Sequence, residues 1–562
     1  MRGNPIPPET AAANAAVFFR HEGFTTGLPK LMGRNAAGAG FLGGLARHAR
    51  ARRFLCYAES REEFEHFRAG MGKDGECAWI AHGDAAGLAA AGTLFYYAPE
   101  IGDLLWQRHA SGAAAWSVIG LTHTISSARA MGSLGELLVA PAERWDALIC
   151  TSAAVRRTVQ GVLERYGAYL GERLGAAPPA PRLELPVIPL GVDCDAYPQG
   201  EALARERAAA RTRMKLAEDA TAFLFVGRLS YHAKAHPLPV YLALEAAAKR
   251  AGTPIALVLA GYYFNESIER AFVEGARRYC PSVRVLQVDG RKPELLRGAW
   301  AAADAFISLS DNIQESFGLA PIEAMAAGLP VVASDWDGYR DTIAHGETGF
   351  AIPTAMPEAG AGIEFAERYL AGADTYDQYI GRVSQCTTVD VGAAIEACAA
   401  LAADPALRRR MGDAGRARAR RLFDWSVVIA AYEALWRELA ARRAGAPAPA
   451  RGEHPLRGDP FAIFSAYPTA AIGEATLIER VAADPLAEAG RIGAASMNNF
   501  TSAFLLGRAE LERLFAALPP DKSVPARELL TLFPDERRAA FFRTLGWLGK
   551  GNIVRIKLIM AG

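Results

Sequence analysis

The chain has 562 residues, of which 51% are hydrophobic and 22% charged, and its formal net charge is +1. This composition predicts a soluble globular protein, not a disordered one, with room for more than two domains at ~150 residues each. The near-neutral charge gives no global attraction to nucleic acid or to an anionic membrane, so an anionic ligand has to be held by local geometry.

Apolar runs and helical patterns alternate through the first third of the chain. Helical patterns cover 39–49 and 153–175, among others. Six apolar runs are typical of buried strands: 15–19, 52–58, 76–81, 93–98, 115–123 and 145–152. Alternating strands and helices predict a parallel, doubly wound sheet.

The same alternation begins again after the apolar segment LPVIPLGVD at 185–193. Five more runs are predicted as strands: 221–229, 255–261, 282–290, 304–310 and 330–335. We therefore predict two Rossmann-like domains, 1–192 and 193–422. The segment 356–386 has amphipathic helical character and is predicted to be an insertion.

The last part of the chain lacks this alternation. A strong amphipathic helix is predicted at 423–443, and the Pro/Ala-rich stretch 444–455 is predicted to be a linker. Residues 456–562 show short helices and one terminal strand, which predicts a small, mostly helical domain that resembles a winged helix. Its basic residues make a weak DNA-binding face, so we expect packing or partner docking there and no nucleic-acid partner: Arg537, Arg538, Arg543 and Lys550.

The stretch ESFGLAPIEAMAAGLPVVASD begins at Glu315, just after the strand predicted at 304–310. Loops at this edge of an open α/β sheet bind ligands. The loop amides precede a helix with Pro321 near its start, which suits a phosphate: Ser316, Phe317, Gly318, Leu319 and Ala320. Glu323 could bind a ribose diol and Glu315 a sugar ring. Alternatively, Glu323 only complements the helix dipole.

Two cations follow the strand predicted at 221–229. Arg228 comes directly after its apolar core, and Lys234 follows six residues later. Together they could neutralise a diphosphate, Arg228 as a planar fork and Lys234 as a point charge. The alternative is that both form surface salt bridges.

These motifs together resemble the donor site of family 4 retaining glycosyltransferases. The resemblance rests on Arg228 in VGRL, the downstream Lys234, the paired glutamates, and PVVASD followed by GETGFAIP. It covers roughly residues 14–443 and implies the GT-B fold, two Rossmann-like domains that face each other across a cleft. VIPLGVD matches the family's hinge, and 423–443 matches its helix that crosses back to the first domain.

The resemblance also implies an activity, the transfer of a sugar from a nucleotide-diphosphate sugar to an acceptor with retention of configuration. The acceptor is left open between a saccharide, a lipid and a small molecule. No metal and no cofactor are implied. Other functions compatible with the same motifs are a GT-B epimerase or phosphorylase and a non-catalytic nucleotide-sugar sensor.

Residue roles follow from the resemblance. The catalytic group would be His123, Arg228, Lys234 and Glu315. The donor would be bound by the amides of 316–320, by Glu323 and by a glycine-bearing loop within 33–48, in which Gly38 and Gly40 allow close approach of the diphosphate and the acceptor. His123, at the end of a strand, would contact the donor sugar.

The sequence departs from the family pattern in places. Lys234 lies one residue further from Arg228 than is usual, and Asp341 stands where a glutamate is common. Two Asp-x-Asp sequences, 193–195 and 335–337, look like the metal-binding motif of the other major glycosyltransferase fold, but their positions favour roles without a metal.

Cysteines and the N-terminal sequence bear on location. The seven cysteines are scattered, odd in number and without a Cys-x-x-Cys pair, which favours a reducing compartment and neither a zinc site nor a disulfide framework. The N-terminal sequence lacks a signal-peptide pattern, and no stretch approaches the ~20 apolar residues of a membrane span. We expect a cytoplasmic protein, with peripheral membrane contact left open.

Overall fold

The structure, a computed structural model, describes residues 14–25, 33–72, 76–446 and 452–557. The chain divides into two compact units, Met1–Gly452 and Glu453–Gly562. The first unit contains both predicted sheet domains and the helix that follows them.

The first domain is built on a parallel sheet of six strands in the order β3-β2-β1-β4-β5-β6. All six predicted strands are present: β1 Ala16–Phe18, β2 Arg53–Ala58, β3 Glu76–Ala81, β4 Thr93–Tyr96, β5 Ser117–Leu121 and β6 Ala147–Ile149. The helices of this domain are α1 His21–Phe24, α2 Gly33–His48, α3 Arg61–Gly70, α4 Ala85–Ala91, α5 Gly102–Ser111, α6 Ala128–Glu136 and α7 Ala153–Leu174. The central strands have few polar side chains because both faces of the sheet are covered by helices.

The second domain repeats this plan with the strand order β12-β11-β10-β7-β8-β9. Its strands are β7 Thr221–Val226, β8 Ile255–Gly261, β9 Arg284–Asp289, β10 Ala305–Ser308, β11 Val331–Ser334 and β12 Gly349–Ile352. Five of them were predicted. The sixth, β12, is missed by the sequence pattern because it has four residues and only two of them are fully buried.

The helices of the second domain include the predicted insertion. They are α8 Gly200–Arg213, α9 Leu238–Ala251, α10 Glu266–Tyr279, α11 Pro293–Ala302, α12 Leu319–Ala327, α13 Tyr339–Thr342, α14 Ile363–Leu370, α15 Tyr376–Gln385, α16 Val391–Ala403 and α17 Pro405–Leu422. The insertion consists of α14 and α15. Two short antiparallel strands close its base, β13 Thr354–Ala355 and β14 Thr388–Val389.

A long helix, α18 (Trp425–Ala444), returns to the first domain. The ring of Tyr432 packs 5.3 Å from that of Phe41, and the guanidinium of Arg443 donates a hydrogen bond of 2.8 Å to the Ser117 hydroxyl. The chain also pairs with itself at the hinge, where Val192 N donates to the Phe423 carbonyl at 2.8 Å. Two Rossmann-like domains with this crossover helix form the GT-B fold that the resemblance implied.

The second unit has its own core, in which Ile478, Phe541 and Leu545 are buried. Its helices are α19 Pro460–Ile463, α20 Pro485–Gly493, α21 Arg508–Ala516, α22 Ala526–Leu530 and α23 Arg538–Lys550. The sequence predicted one strand, but three form an antiparallel sheet in the order β16-β15-β17: β15 Leu477–Arg480, β16 Ser523–Pro525 and β17 Val554–Lys557. The first two are too short and too polar to give a strand pattern.

Two features bear on the expected partners. In the second unit, Arg537 is paired with Glu510 at 2.7 Å and Arg538 with Glu474 at 2.6 Å, so these cations already have protein partners. In the described part of the chain, no helix combines the length and the apolar character that crossing a bilayer requires.

Candidate active site

The order of the second sheet places the loops after β7 and β10 side by side. β7 lies between β8 and β10, so the connections from β7 and β10 leave the sheet where the strand order reverses. A crevice forms at such a point outside the carboxyl ends of the strands. Arg228 and Lys234 belong to the first loop, and Glu315 and Gly318 to the second.

Arg228 is half-buried and held in a defined orientation. Its guanidinium donates to the Ala233 carbonyl at 3.0 Å and to Gln314 Oε1 at 2.6 Å. It also lies 5.4 Å above the centre of the Phe264 ring, a cation–π contact. Among the residues that the structure describes, the remaining donors of the planar fork have no hydrogen-bond partner, so they are available for an anion.

Lys234 forms an ion pair with Glu315. Their side chains are 21% and 11% exposed, so the pair is largely shielded from water. Burial disfavours the charged ammonium, but the Glu315 carboxylate offsets this and holds the pKa of Lys234 above its ordinary value. The longer spacing from Arg228 does not prevent the contact, because a turn from Ser230 to Lys234 absorbs the extra residue.

The loop that follows Glu315 is shaped by a glycine. Gly318 has φ +82°, and a Cβ atom on it would lie 1.9 Å from Cε1 of Tyr339. Helix α12 begins at the next residue, Leu319, and no side chain in the described part of the chain caps its first turn. The orphan amides and the positive end of the helix dipole therefore point to an anion site. Pro321 is the third residue of the helix and not the first. It still lies within the first turn, whose amide groups have no partner inside the helix.

Glu323 lies in α12 beyond its first turn, which contains no acidic residue. The alternative that it complements the helix dipole is disfavoured, because that effect falls off within the first turn. Burial raises the pKa of Glu323 to about 7, with Lys234 acting in the opposite direction. In the described ranges no hydrogen bond to its carboxylate is present, so its oxygens are available to accept hydrogen bonds from a ligand.

His123 lies two residues beyond the end of β5, in the first domain. Its Nε2 is 3.1 Å from the Tyr97 carbonyl, which can only accept, so Nε2 carries the proton. The imidazole also packs 4.7 Å from the Tyr97 ring. Burial lowers the pKa of His123 to about 4, although the hydrogen bond to the Tyr97 carbonyl acts in the opposite direction. The side chain is therefore neutral at pH 7.

The two domains contact each other beside these residues. Thr124, next to His123, donates through its hydroxyl to the Gln314 carbonyl at 3.0 Å. Other bonds across the cleft are Thr151 Oγ1 to Ser316 O at 3.5 Å, Ser152 Oγ to Asp337 Oδ1 at 3.2 Å and Ala153 N to Asp341 Oδ2 at 2.6 Å. His123 is therefore adjacent in the chain to a residue that contacts Gln314, the neighbour of Glu315.

Part of the chain is similar to a known protein family. Residues 206–366 match the family model of glycosyl transferases group 1. The matched range contains Arg228, Lys234, Glu315 and Glu323.

Two relatives that match part of the chain are D-inositol 3-phosphate glycosyltransferases. The one from Nocardia farcinica is 33% identical over 175 residues, 31% of this chain and 37% of the relative. The one from Geodermatophilus obscurus is 32% identical over 247 residues, 41% of this chain and 46% of the relative. The matched part of this chain thus spans less than half the length of these relatives.

Two solved structures are similar to the chain over about three quarters of its length. Sucrose-phosphate synthase from Thermosynechococcus elongatus has a TM-score of 0.47 and 19% identity, over 76% of this chain and 99% of that one. Anabaena Alr3699/HepE in complex with UDP has a TM-score of 0.46 and 16% identity, over 74% of this chain and 98% of that one.

Gly38 and Gly40 require a correction. The sequence predicted a loop within 33–48, but helix α2 runs through this whole range. A Cβ atom on Gly38 would lie 2.2 Å from the Gly23 carbonyl oxygen, and one on Gly40 would lie 3.0 Å from the Trp425 ring. Both glycines therefore permit close packing within the protein. Any loop before α2 lies at 26–32, outside the described residues.

The two Asp-x-Asp sequences have protein partners. Asp193 pairs with Arg47 at 2.6 Å and Asp195 with Arg420 at 2.6 Å. Asp335 lies 3.4 Å from Arg340, and Asp337 accepts from Ser152. In the portion of the chain that the structure describes, no cluster of three or more His, Cys, Asp or Glu side chains is arranged to hold a metal ion.

Asp341, noted as a departure from the family pattern, accepts the amide hydrogen of Ala153. Ala153 is the first residue of α7, so Asp341 supplies a carboxylate at the N-terminus of a helix from the opposite domain. Its shorter side chain thus serves a contact between the domains.

Two site residues were missed by sequence reasoning. Gln314 contacts Arg228 and directly precedes Glu315, so its position in the loop was a usable signal. Tyr376 belongs to the insertion, and its hydroxyl lies 2.7 Å from Ser126 Oγ and 3.4 Å from Gln314 Nε2. Nothing in the local pattern at 376 indicates this contact.

Proposed function

We propose that the protein transfers a sugar from a nucleotide-diphosphate sugar to an acceptor, with retention of the anomeric configuration. The observation that supports this best is the meeting of Arg228, the Lys234–Glu315 pair and the uncapped start of α12 at one sheet edge. Three sources of positive charge lie at this edge. A diphosphate has the charge and the number of acceptor oxygens to occupy it.

In this proposal the chemistry is one of charge stabilisation. The bond between the anomeric carbon and the diphosphate breaks while the acceptor oxygen bonds to that carbon on the same face. The acceptor proton passes to an oxygen of the leaving diphosphate. Arg228, Lys234 and the amides of the loop stabilise the negative charge that grows on this group.

The remaining groups position the donor. Glu315 lies beside the phosphate-binding cations and accepts hydrogen bonds from sugar hydroxyls. Glu323, when ionised, accepts from the two ribose hydroxyls. His123 is neutral at pH 7, so it does not oppose the positive charge that develops on the sugar. The acceptor, a saccharide, a lipid or a small molecule, approaches from the first domain.

We further propose that transfer needs no metal ion. Two fixed cations and a helix N-terminus supply the positive charge that a divalent ion would otherwise provide. The test is the rate of transfer with and without a chelator. We expect an unchanged rate, and a complete loss that manganese restores would contradict the proposal.

The experiment for the main proposal is a thermal-shift screen of UDP-, GDP- and ADP-sugars, followed by analysis of the products formed with candidate acceptors. We expect one nucleotide series to bind and its sugar to appear on an acceptor with the same anomeric configuration. Arg228→Ala should reduce kcat/KM by the equivalent of ~3 kcal/mol, as loss of a charge-stabilising donor does. Arg297→Ala, an exposed cation on α11, is the control.

Three outcomes would reject this function. Binding without turnover indicates a sensor, and a changed sugar still attached to its nucleotide indicates an epimerase. Release of a sugar phosphate from a polysaccharide and inorganic phosphate indicates a phosphorylase. Transfer by Arg228→Ala at the wild-type rate would reject the assignment of Arg228 even if the reaction is as proposed.

A further inference from the structure

The insertion formed by α14 and α15 is a built element with internal ties. Asp374, between the two helices, accepts hydrogen bonds from Arg368 at 3.0 Å and from Arg382 at 2.8 Å. These bonds lower the pKa of Asp374 to about 2. The rings of Tyr369 and Tyr379 stack 4.9 Å apart across the helix pair. The two helices are therefore held to each other independently of the rest of the domain.

The insertion packs against both loops of the candidate site. Ser384, in α15, donates to Asp311 Oδ1 at 2.9 Å, and Asp311 lies near the start of the loop after β10. Gly381 leaves room for His232 of the β7 loop, since a Cβ atom on it would lie 3.0 Å from His232 Cβ. The insertion thus contacts the two loops that carry Arg228 and Glu315.

Tyr376 lies where the insertion meets the first domain, and its hydrogen bond with Gln314 has a defined direction. Arg228 can only donate, so the Gln314 side chain presents Oε1 to it and turns Nε2 toward Tyr376. The Tyr376 hydroxyl accepts from Nε2, and it forms a second hydrogen bond with Ser126 Oγ, in which either hydroxyl can donate. A chain of hydrogen bonds runs from Ser126 through Tyr376 and Gln314 to the guanidinium.

Gln314 is fixed from other sides as well. Its backbone N–H donates to Asn312 Oδ1 at 2.9 Å, and its carbonyl accepts from Thr124 at 3.0 Å. The Gln314 side chain is therefore positioned by the β10 loop, by the first domain and by the insertion together. Of the two hydrogen bonds that orient Arg228, the one to the Gln314 amide oxygen is the shorter.

We propose that Gln314 and Tyr376 are positioning residues that hold the Arg228 guanidinium in place for a diphosphate. Tyr376 acts through Gln314, and it does so only while the insertion lies against Ser126 of the first domain. The orientation of the arginine is thereby coupled to contact between the two domains. This inference rests on the proposed function, because it takes Arg228 to bind the donor diphosphate.

The test is a double-mutant cycle on nucleoside diphosphate binding, measured by calorimetry with UDP, GDP and ADP on the full chain. The variants are Tyr376→Phe, Arg228→Ala and the double variant. Removing the Tyr376 hydroxyl should weaken binding about threefold to tenfold, the effect of one neutral hydrogen bond. In the Arg228→Ala background the same change should have no effect, because the residue it orients is absent.

Two further variants sharpen the test. Tyr379→Phe is the matched control on the same helix, and it should bind the diphosphate as the wild type does. Gln314→Ala should weaken binding at least as much as Tyr376→Phe, and it keeps the proposal testable if Tyr376→Phe does not fold.

Each other result overturns the proposal. Wild-type affinity in both Tyr376→Phe and Gln314→Ala would show that neither residue positions Arg228. An equal loss with and without Arg228 would assign Tyr376 a general structural role. If the wild-type chain binds none of the three diphosphates, the proposed function itself fails and this inference fails with it.

Discussion

Lys234 and Glu315 form an ion pair although 81 residues separate them in the chain. The pair exists because β7 and β10 are neighbours in the sheet, so the loops that follow them leave at one edge. Either charge alone would be poorly solvated at this position. As a pair they are stable there, so Lys234 supplies a cation and Glu315 a hydrogen-bond acceptor. The carboxylate nevertheless repels the phosphates that Lys234 would attract.

This conflict leads to a prediction for Glu315→Gln. Removal of the negative charge should tighten binding of a free nucleoside diphosphate about threefold to tenfold, equivalent to ~1 kcal/mol for a partly exposed charge pair. Sugar transfer should fall in the same variant, because the group that positions the sugar is weakened. Calorimetry and a transfer assay measure the two effects. Weaker diphosphate binding together with lost transfer would contradict this role for Glu315.

A second prediction concerns Glu323 and pH. Its pKa is raised from 4.5 to about 7 by burial. The group therefore stabilises the folded state fully below its unfolded pKa, and this contribution is lost as the pH rises through about 7. Binding to a ribose diol has the opposite dependence, because the ionised carboxylate is the better acceptor.

The measurement compares a ribonucleoside diphosphate with its 2′-deoxy counterpart, so that titration of the phosphates cancels. In the wild type, the ratio of the affinity for the ribonucleotide to that for the 2′-deoxy nucleotide should rise from about pH 6 to about pH 8, because Glu323 ionises in this range. In Glu323→Gln the ratio should be independent of pH. A ratio that changes equally in both proteins would remove Glu323 from the ribose site.

Sequence reasoning located the parts of this site that depend on a general rule of sheet topology. Arg228, Lys234 and Glu315 follow strands whose carboxyl ends meet, so their proximity was predictable. The hydrogen bonds that orient Arg228 were not predictable. Gln314 contacts Tyr376, which belongs to an insertion and lies 62 residues away in the chain. The glycines of α2 were misread because a glycine-rich helix that packs closely on Trp425 has the composition of a loop.

A third prediction tests the shape of the donor loop. Gly318→Ala places a Cβ atom against Tyr339 at a φ of +82°, so it should destabilise the fold by roughly 1–3 kcal/mol. Gly346→Ala is the matched control, because Gly346 has φ +78° and nothing within 4 Å of the added atom. Calorimetric melting should show the larger fall in Tm for Gly318→Ala. Equal losses would mean that the Tyr339 contact imposes no constraint on the loop.

The last prediction concerns the second unit. Every residue of the candidate site lies before 444–455, and the compact units divide at Gly452 and Glu453. Helix α18 already packs on the first domain through Tyr432 and Arg443. A chain that ends at Ala446 should therefore fold, remain monodisperse and bind the nucleoside diphosphate with the affinity of the full chain, as measured by calorimetry.

A chain that ends at Leu422 should be insoluble, because it lacks the α18 side chains that cover the first domain. If the chain ending at Ala446 is monodisperse but no longer binds, residues of the second unit belong to the site and the division of the chain argued here is wrong.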